Sequence, residues 1–120
     1  MPRFVIHKHA ARTLHYDLRL ELDGTLRSWA VPKGPPETSG VKRLAVAVDD
    51  HPLDYIDFQG TIPEGEYGAG KVEIWDRGTF DLTNNTETAI ALVFHGNRLD
   101  GDYRLIRTKD KNWLIFKIKK

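Results

Sequence analysis

At 120 residues the chain is long enough for a real core and leaves little room for a second domain. It holds 40% hydrophobic and 29% charged residues, a net charge of +1 and no cysteine, which excludes disulfides, thiolate zinc sites and a cysteine nucleophile. No apolar run approaches the roughly 20 residues of a membrane span, and Pro2, Arg3 and His7 interrupt the start where a signal peptide would need a long apolar segment. The expectation is a cytoplasmic protein, with residues 1–120 forming one domain and no membrane contact.

In chain order, "RFVIHKH" reads as a short β segment. "TLHYDLRLELDG" alternates, with Leu14, Tyr16, Leu18, Leu20 and Leu22 on one side and His15, Asp17, Arg19 and Glu21 on the other. That period of two predicts a strand with one apolar and one polar face. Asp23-Gly24 is a hairpin signal, because Gly accepts the positive φ such turns need. "TLRSWAVP" returns, "KGPPETSG" is a loop by its Pro, Gly and Ser content, and "RLAVAV" is a buried-type strand. A long acidic stretch rich in turn residues follows, "DDHPLDYIDFQGTIPEGEYGAG".

"KVEIW", "GTFDL", "IALVFHG", "YRLIR" and "WLIFKIK" complete the strands, with turns expected at Asp76-Arg77-Gly78, His95-Gly96-Asn97 and Asp110-Lys111-Asn112. Only "NNTETAIAL" offers a helical turn. The fold class is therefore all-β with a minor helix, a barrel or sandwich that is mainly antiparallel.

Charge is unevenly spread. Residues 1–43 hold eight Lys/Arg against four Asp/Glu, residues 44–66 hold six acids and no Lys/Arg, and the remainder ten against seven. Binding of nucleic acid by bulk charge would need a far more basic chain, so any such contact must be local. "GEYGAGKV" has the glycine–lysine spacing of a phosphate-binding loop, but Val72 stands where Ser or Thr would hold magnesium, and a strand follows instead of a helix.

The polar face of "TLHYDLRLELDG" is a more pointed set than a wet strand needs. His15 and Asp17 have Cα atoms about 6.5–7 Å apart on one face, so both can reach one metal. A third ligand would come from His7 or His9 of "HKH", and spacing does not choose between them. Two histidines and a carboxylate leave coordination positions open, as a catalytic metal requires. Arg19, next on that face, suits a phosphate through its planar fork. His51, in a loop before Pro52, is a phosphate or proton donor or else an ordinary turn residue, and His95 reads as a turn residue.

Together "KHAARTLHYDLRLELDG", "SWAVPKGP", "KRLAVAVDDHPLDY" and "IPEGEYGAGKVEIWDRGTF" resemble the 3′-phosphoesterase domain of bacterial DNA ligase D, a family with stand-alone members in archaea and bacteria. The likeness is close over about residues 3–81 and looser to the C-terminus. It implies a small β-barrel with an open catalytic face. The implied enzyme is manganese-dependent and heals 3′ ends in non-homologous end joining, removing a terminal ribonucleoside and then the 3′-phosphate to leave a 3′-hydroxyl.

By motif match the resemblance makes His9, His15 and Asp17 the metal ligands and Arg19, His51 and Tyr55 the phosphate-site residues. Arg43 and Lys33 match further basic positions, and His7 is a departure from the family pattern. Nucleic acid 3′ ends are the implied substrate, with a separate ligase and repair polymerase as partners. Manganese itself rests on the resemblance, since ligand affinity would favour zinc or copper. Two other classes share these residues: a non-heme iron oxygenase, and a module that binds 3′ ends without hydrolysing them.

Overall fold

The computed structural model describes residues 1–119. Nine strands run β1 (Arg3–Ala10), β2 (Leu14–Leu22), β3 (Thr25–Val31), β4 (Lys42–His51), β5 (Gly60–Ile62), β6 (Gly70–Asn85), β7 (Ala89–Gly96), β8 (Asp100–Lys109) and β9 (Asn112–Lys117). Eight of them lie in the order β1-β2-β3-β4-β9-β8-β7-β6, all antiparallel, and β6 pairs back onto β1 to close a barrel. Strand β5 is an appendage on β6.

A barrel of eight strands has an interior that side chains can fill. Here the filling is Phe4, Ile6, Leu18, Leu20, Trp29, Phe94 and their neighbours in one continuous cluster. Tyr103 stands among them and donates its hydroxyl to the Pro36 carbonyl at 2.6 Å, tying the 32–40 loop to the barrel end. Leu18, Leu20 and Leu22 of β2 face this core, whereas Leu14, at the start of the strand, is exposed.

The alternation of β2 and the Asp23-Gly24 turn appear as expected, with both turn residues at positive φ, 53° and 77°. Two expectations fail. Asp76-Arg77-Gly78 is no turn but the middle of β6, a 16-residue strand. The Asp76 carboxylate, buried, accepts the backbone N–H groups of Asn97, Arg98 and Leu99 and so caps the β7–β8 turn. Gly78 sits where β6 passes from β1 to β7, and a Cβ there would lie 2.1 Å from the His95 carbonyl oxygen. Turn-type residues are thus needed for barrel closure.

Likewise "NNTETAIAL" forms the β6–β7 hairpin, because the Thr86 hydroxyl accepts the Ala89 amide while the Thr86 amide donates to the Ala89 carbonyl. The only helix among the described residues is a 3₁₀ segment, Leu53–Asp57, within the acidic stretch. That stretch folds across the outer wall of β1, β2 and β3. Its Ile56, Leu53 and Tyr55 pack on Val5, Leu26 and Ile74, a second apolar cluster separate from the barrel interior.

Candidate metal and phosphate site

Because strands alternate, packing Leu18 and Leu20 inward turns Asp17 and Arg19 outward. The register brings neighbours onto the same outer face: His9 stands opposite His15, His7 opposite Asp17, Ala30 opposite Asp17 and Ser28 opposite Arg19. In an unroofed barrel these would be solvated. Under the 52–69 segment His7, His9, Asp17, Arg19 and Ser28 are all at most 8% exposed. Buried polar groups must be satisfied, so their hydrogen bonds can be followed one by one.

His9 and His15 each spend one ring nitrogen on a backbone carbonyl. His9 Nε2 lies 2.8 Å from the Gly68 carbonyl oxygen and His15 Nδ1 lies 3.1 Å from that of Thr13. A carbonyl only accepts, so those nitrogens carry the protons, and the lone pairs are left on His9 Nδ1 and His15 Nε2. Both point at Asp17: His9 Nδ1 is 3.5 Å from Oδ2 and His15 Nε2 is 3.2 Å from Oδ1. One ligand atom from each of the three residues falls within 4.8 Å of the others.

Lone pairs facing a carboxylate repel unless a cation or proton lies between them. Metal–ligand bonds of about 2.0–2.2 Å place neighbouring donors roughly 3–3.6 Å apart, close to the two His–Asp17 distances. The donor set therefore fits a divalent metal, and backbone carbonyls fix the ring orientations as second partners of metal histidines do. Burial alone would raise the Asp17 carboxyl, but the hydrogen bond from His15 and the charge of Arg19 outweigh it and hold the group below its usual value. In the metal-free protein the bond to Asp17 raises His15.

His7, the other candidate ligand in "HKH", has both ring nitrogens engaged within the protein. Arg19 Nε donates to His7 Nδ1 at 3.1 Å, so Nε2 carries the proton and donates to the Phe58 carbonyl at 3.0 Å. Both nitrogens are used, and burial with the adjacent Arg19 charge pushes the imidazole down to about 4. His7 is a neutral link between the roof and Arg19.

Arg19 is held on all sides. Besides His7, its Nη1 donates to Ser28 Oγ at 2.8 Å and lies 3.1 Å from His51 Nδ1, while Nη2 donates to Asp17 at 3.3 Å. Its Cζ sits 5.0 Å from the Tyr55 ring centroid. Five N–H groups less these four leave one, on Nη2, so the two-pronged fork expected from sequence is mostly engaged within the protein. His51 Nδ1 is also 3.1 Å from the Asp49 carbonyl oxygen. It accepts from Arg19 when unprotonated and donates to Asp49 when protonated, and the second state releases the Nη1 proton of Arg19. Burial and Arg19 together lower His51.

His51 reaches this face through an irregularity. Val46 and Val48 pair with Ala30 and Ser28 on the outer wall, which by alternation would turn His51 inward. A bulge intervenes: two steps along β3, from Ser28 to Leu26, match three along β4, from Val48 to His51. The extra residue re-aims the strand end toward the site. Tyr55 follows on the 3₁₀ segment with its ring 5.0 Å from that of His51.

His9, His15, Asp17, Arg19, His51 and Tyr55 thus line one cavity of about 400 Å³. Arg43 and Lys33 do not. Arg43 pairs with Ile115 and shares the inward parity of Ala45, and its Nη1 donates to the carbonyls of Lys33 and Gly34. It braces the loop at the barrel end, and Lys33 is exposed there. Ser28 was not expected at the site; its signal was the alternation of "LRSWAV", which gives Leu26, Ser28 and Ala30 one face.

Residues 7–107 match the DNA Ligase D 3′-phosphoesterase domain family. The chain is 52% identical over 120 residues to the multifunctional non-homologous end joining DNA repair protein LigD of Mycobacterium tuberculosis, covering 97% of this chain and 16% of that protein. It is 50% identical over 126 residues to the LigD protein of Pseudomonas aeruginosa, with 98% and 15% covered, and 49% over 128 residues to that of Mycolicibacterium smegmatis, with 98% and 17% covered. The chain therefore spans about one-sixth of the length of these curated relatives. By its barrel, its motifs and the match along most of its length, the chain belongs to the 3′-phosphoesterase domain family of DNA ligase D.

Proposed function

We propose that residues 1–120 work as one domain, a metal-dependent phosphoesterase that removes 3′-terminal ribonucleosides and 3′-phosphates from primer strands and leaves a 3′-hydroxyl. The observation that carries this reading is the convergence of His9 Nδ1, His15 Nε2 and the Asp17 carboxylate beside the Arg19 guanidinium. The relatives' names carry non-homologous end joining, which supports extending that role to this chain. A separate ligase and repair polymerase as partners and a cytoplasmic setting belong to the same proposal. No helix of the described residues is long and apolar enough to cross a membrane.

His9, His15 and Asp17 would hold the metal, manganese by family analogy. When bound, it supplies Lewis-acid polarisation of a phosphate oxygen and an acidified water. Arg19 contributes a fixed positive charge and its free Nη2 proton to the phosphoryl group, prepositioned by Ser28 and His7. His51 meets the same phosphate: the approaching anion favours its protonated form, whose Nε2 proton is available to the leaving oxygen. That form also releases an Arg19 donor, so the two residues engage the phosphate together. The Tyr55 hydroxyl, raised by burial, stays protonated as a further donor.

The test uses metal-stripped protein on a primer–template ending in a ribonucleotide and on one ending in 3′-phosphate, each with and without manganese. Manganese-dependent conversion to a 3′-hydroxyl is expected for the wild type and its absence for His15→Ala, while His51→Ala keeps the metal and loses turnover. Tight binding of the phosphate-ended primer without conversion would favour an end-binding module. Turnover of a keto acid with iron and oxygen would overturn both.

A further inference from the structure

The cavity has a wall that phosphate chemistry does not use. Tyr67, 94% exposed, is one of its lining residues, and Ile62, Ala11, Ala30 and Val48 add apolar surface elsewhere around it. A tyrosine left so bare gains nothing for folding. Its place is nevertheless fixed. The turn around it is closed by the Glu66 amide donating to the Pro63 carbonyl and the Ala69 amide donating to that of Glu66. The next residue, Gly68, gives its carbonyl to His9 Nε2 at 2.8 Å. One peptide therefore links the exposed ring to a proposed metal ligand.

Charge in the cavity points the same way. Among its lining residues Arg19 is the one Lys or Arg, against Asp17, Asp49 and Asp50. Attraction of the phosphate backbone, the usual source of affinity for nucleic acid, has little purchase here. An exposed aromatic beside a phosphate-sized polar end is instead the arrangement that grips single nucleotides by stacking, whatever their base.

We propose that Tyr67 is a stacking platform for the terminal nucleobase of the strand whose 3′ phosphate enters the site. The platform makes the enzyme indifferent to which base is present and dependent on there being one. This rests on the phosphoesterase reading, and two measurements keep them apart.

The first compares KM for 3′-phosphate primers ending in a normal nucleotide or an abasic sugar, in wild type, Tyr67→Phe and Tyr67→Ala. Loss of one stacked base corresponds to roughly a 5- to 150-fold rise. Wild type and Tyr67→Phe should show that penalty on the abasic end, and Tyr67→Ala should show the raised KM on both ends. The second places 2-aminopurine at the primer 3′ terminus and reads its fluorescence without turnover. Quenching by wild type and Tyr67→Phe, absent in Tyr67→Ala, supports the platform even in a protein that hydrolyses nothing, which would sink only the phosphoesterase reading. An active enzyme with unchanged KM in Tyr67→Ala and no quenching overturns the platform, as does a Tyr67→Phe variant as impaired as Tyr67→Ala.

Discussion

The two faces of β2 are both buried, for opposite reasons. Inward, Leu18 and Leu20 disappear into a core that any apolar side chains of suitable volume would fill. Outward, Asp17 and Arg19 are hidden only because the 52–69 segment covers them, and each polar atom there needs a particular partner. The inner face is secured by volume and the outer one by a chain of hydrogen bonds. Damage should therefore spread differently: a loss inside lowers stability and spares chemistry, and a loss outside lowers chemistry whatever it also costs in stability.

Adjacent residues give the largest contrast. Asp17→Asn preserves shape but replaces the carboxylate proposed to hold the metal by a poor donor. Metal content and turnover should fall by more than roughly 100-fold, since even second-shell changes around metals cost 10- to 100-fold. Leu18→Ala should cost about 2–5 kcal/mol of stability and leave turnover per folded molecule unchanged. Denaturant melts, metal analysis and turnover of the two proteins check this, and turnover lost per folded molecule in Leu18→Ala would break the division between faces.

A subtler cut separates His7 from the ligands. His7→Leu removes the acceptor for Arg19 Nε and the donor to Phe58, leaving buried groups unpaired at roughly 1–3 kcal/mol of stability, and turnover should fall because Arg19 loses a bond that aims it. His7→Gln offers an acceptor and a donor at similar reach and should restore most of the rate. Metal binding should survive in both variants, because both ring nitrogens of His7 are engaged within the protein, and metal loss in either would contradict the proposed ligand set.

The smallest effect sharpens the inner face. Burial raises the Tyr103 hydroxyl well above the usual tyrosine value. Above pH ~10 the unfolded chain ionises Tyr103 while the folded barrel keeps it neutral, so stability present below that pH is lost as pH rises, at about 1.4 kcal/mol per pH unit. Tyr103→Phe should flatten this alkaline slope while lowering stability at neutral pH through the lost bond to Pro36. An unaltered slope would show that the hydroxyl is wetter than its position in the core implies.

Much of this was legible from local pattern. The alternation of β2, the Asp23-Gly24 turn and the all-β class follow from side chains alternating along extended chains and from turn chemistry, and His9 joined His15 and Asp17 through the family resemblance. What was misread depended on distant partners. Asp76-Arg77-Gly78 has turn chemistry, yet its aspartate caps a turn about twenty residues later and its glycine lets three strands meet. Arg43 has the charge of a phosphate ligand, and only its parity relative to Ala45 places it inside the barrel end.

By itself the sequence determined that Asp17 and Arg19 share a face, because a period of two is a local property of the backbone. Spacing left His7 and His9 equivalent, the family motif favoured His9, and the tertiary structure supplies the physical reason. Gly68 from the roof leaves His9 Nδ1 free beside Asp17, while Phe58 and Arg19 occupy both nitrogens of His7. The two imidazoles are chemically identical and two residues apart on one strand. Hydrogen bonds from a segment some fifty to sixty residues away distinguish them, and the period of the strand carries no trace of that difference.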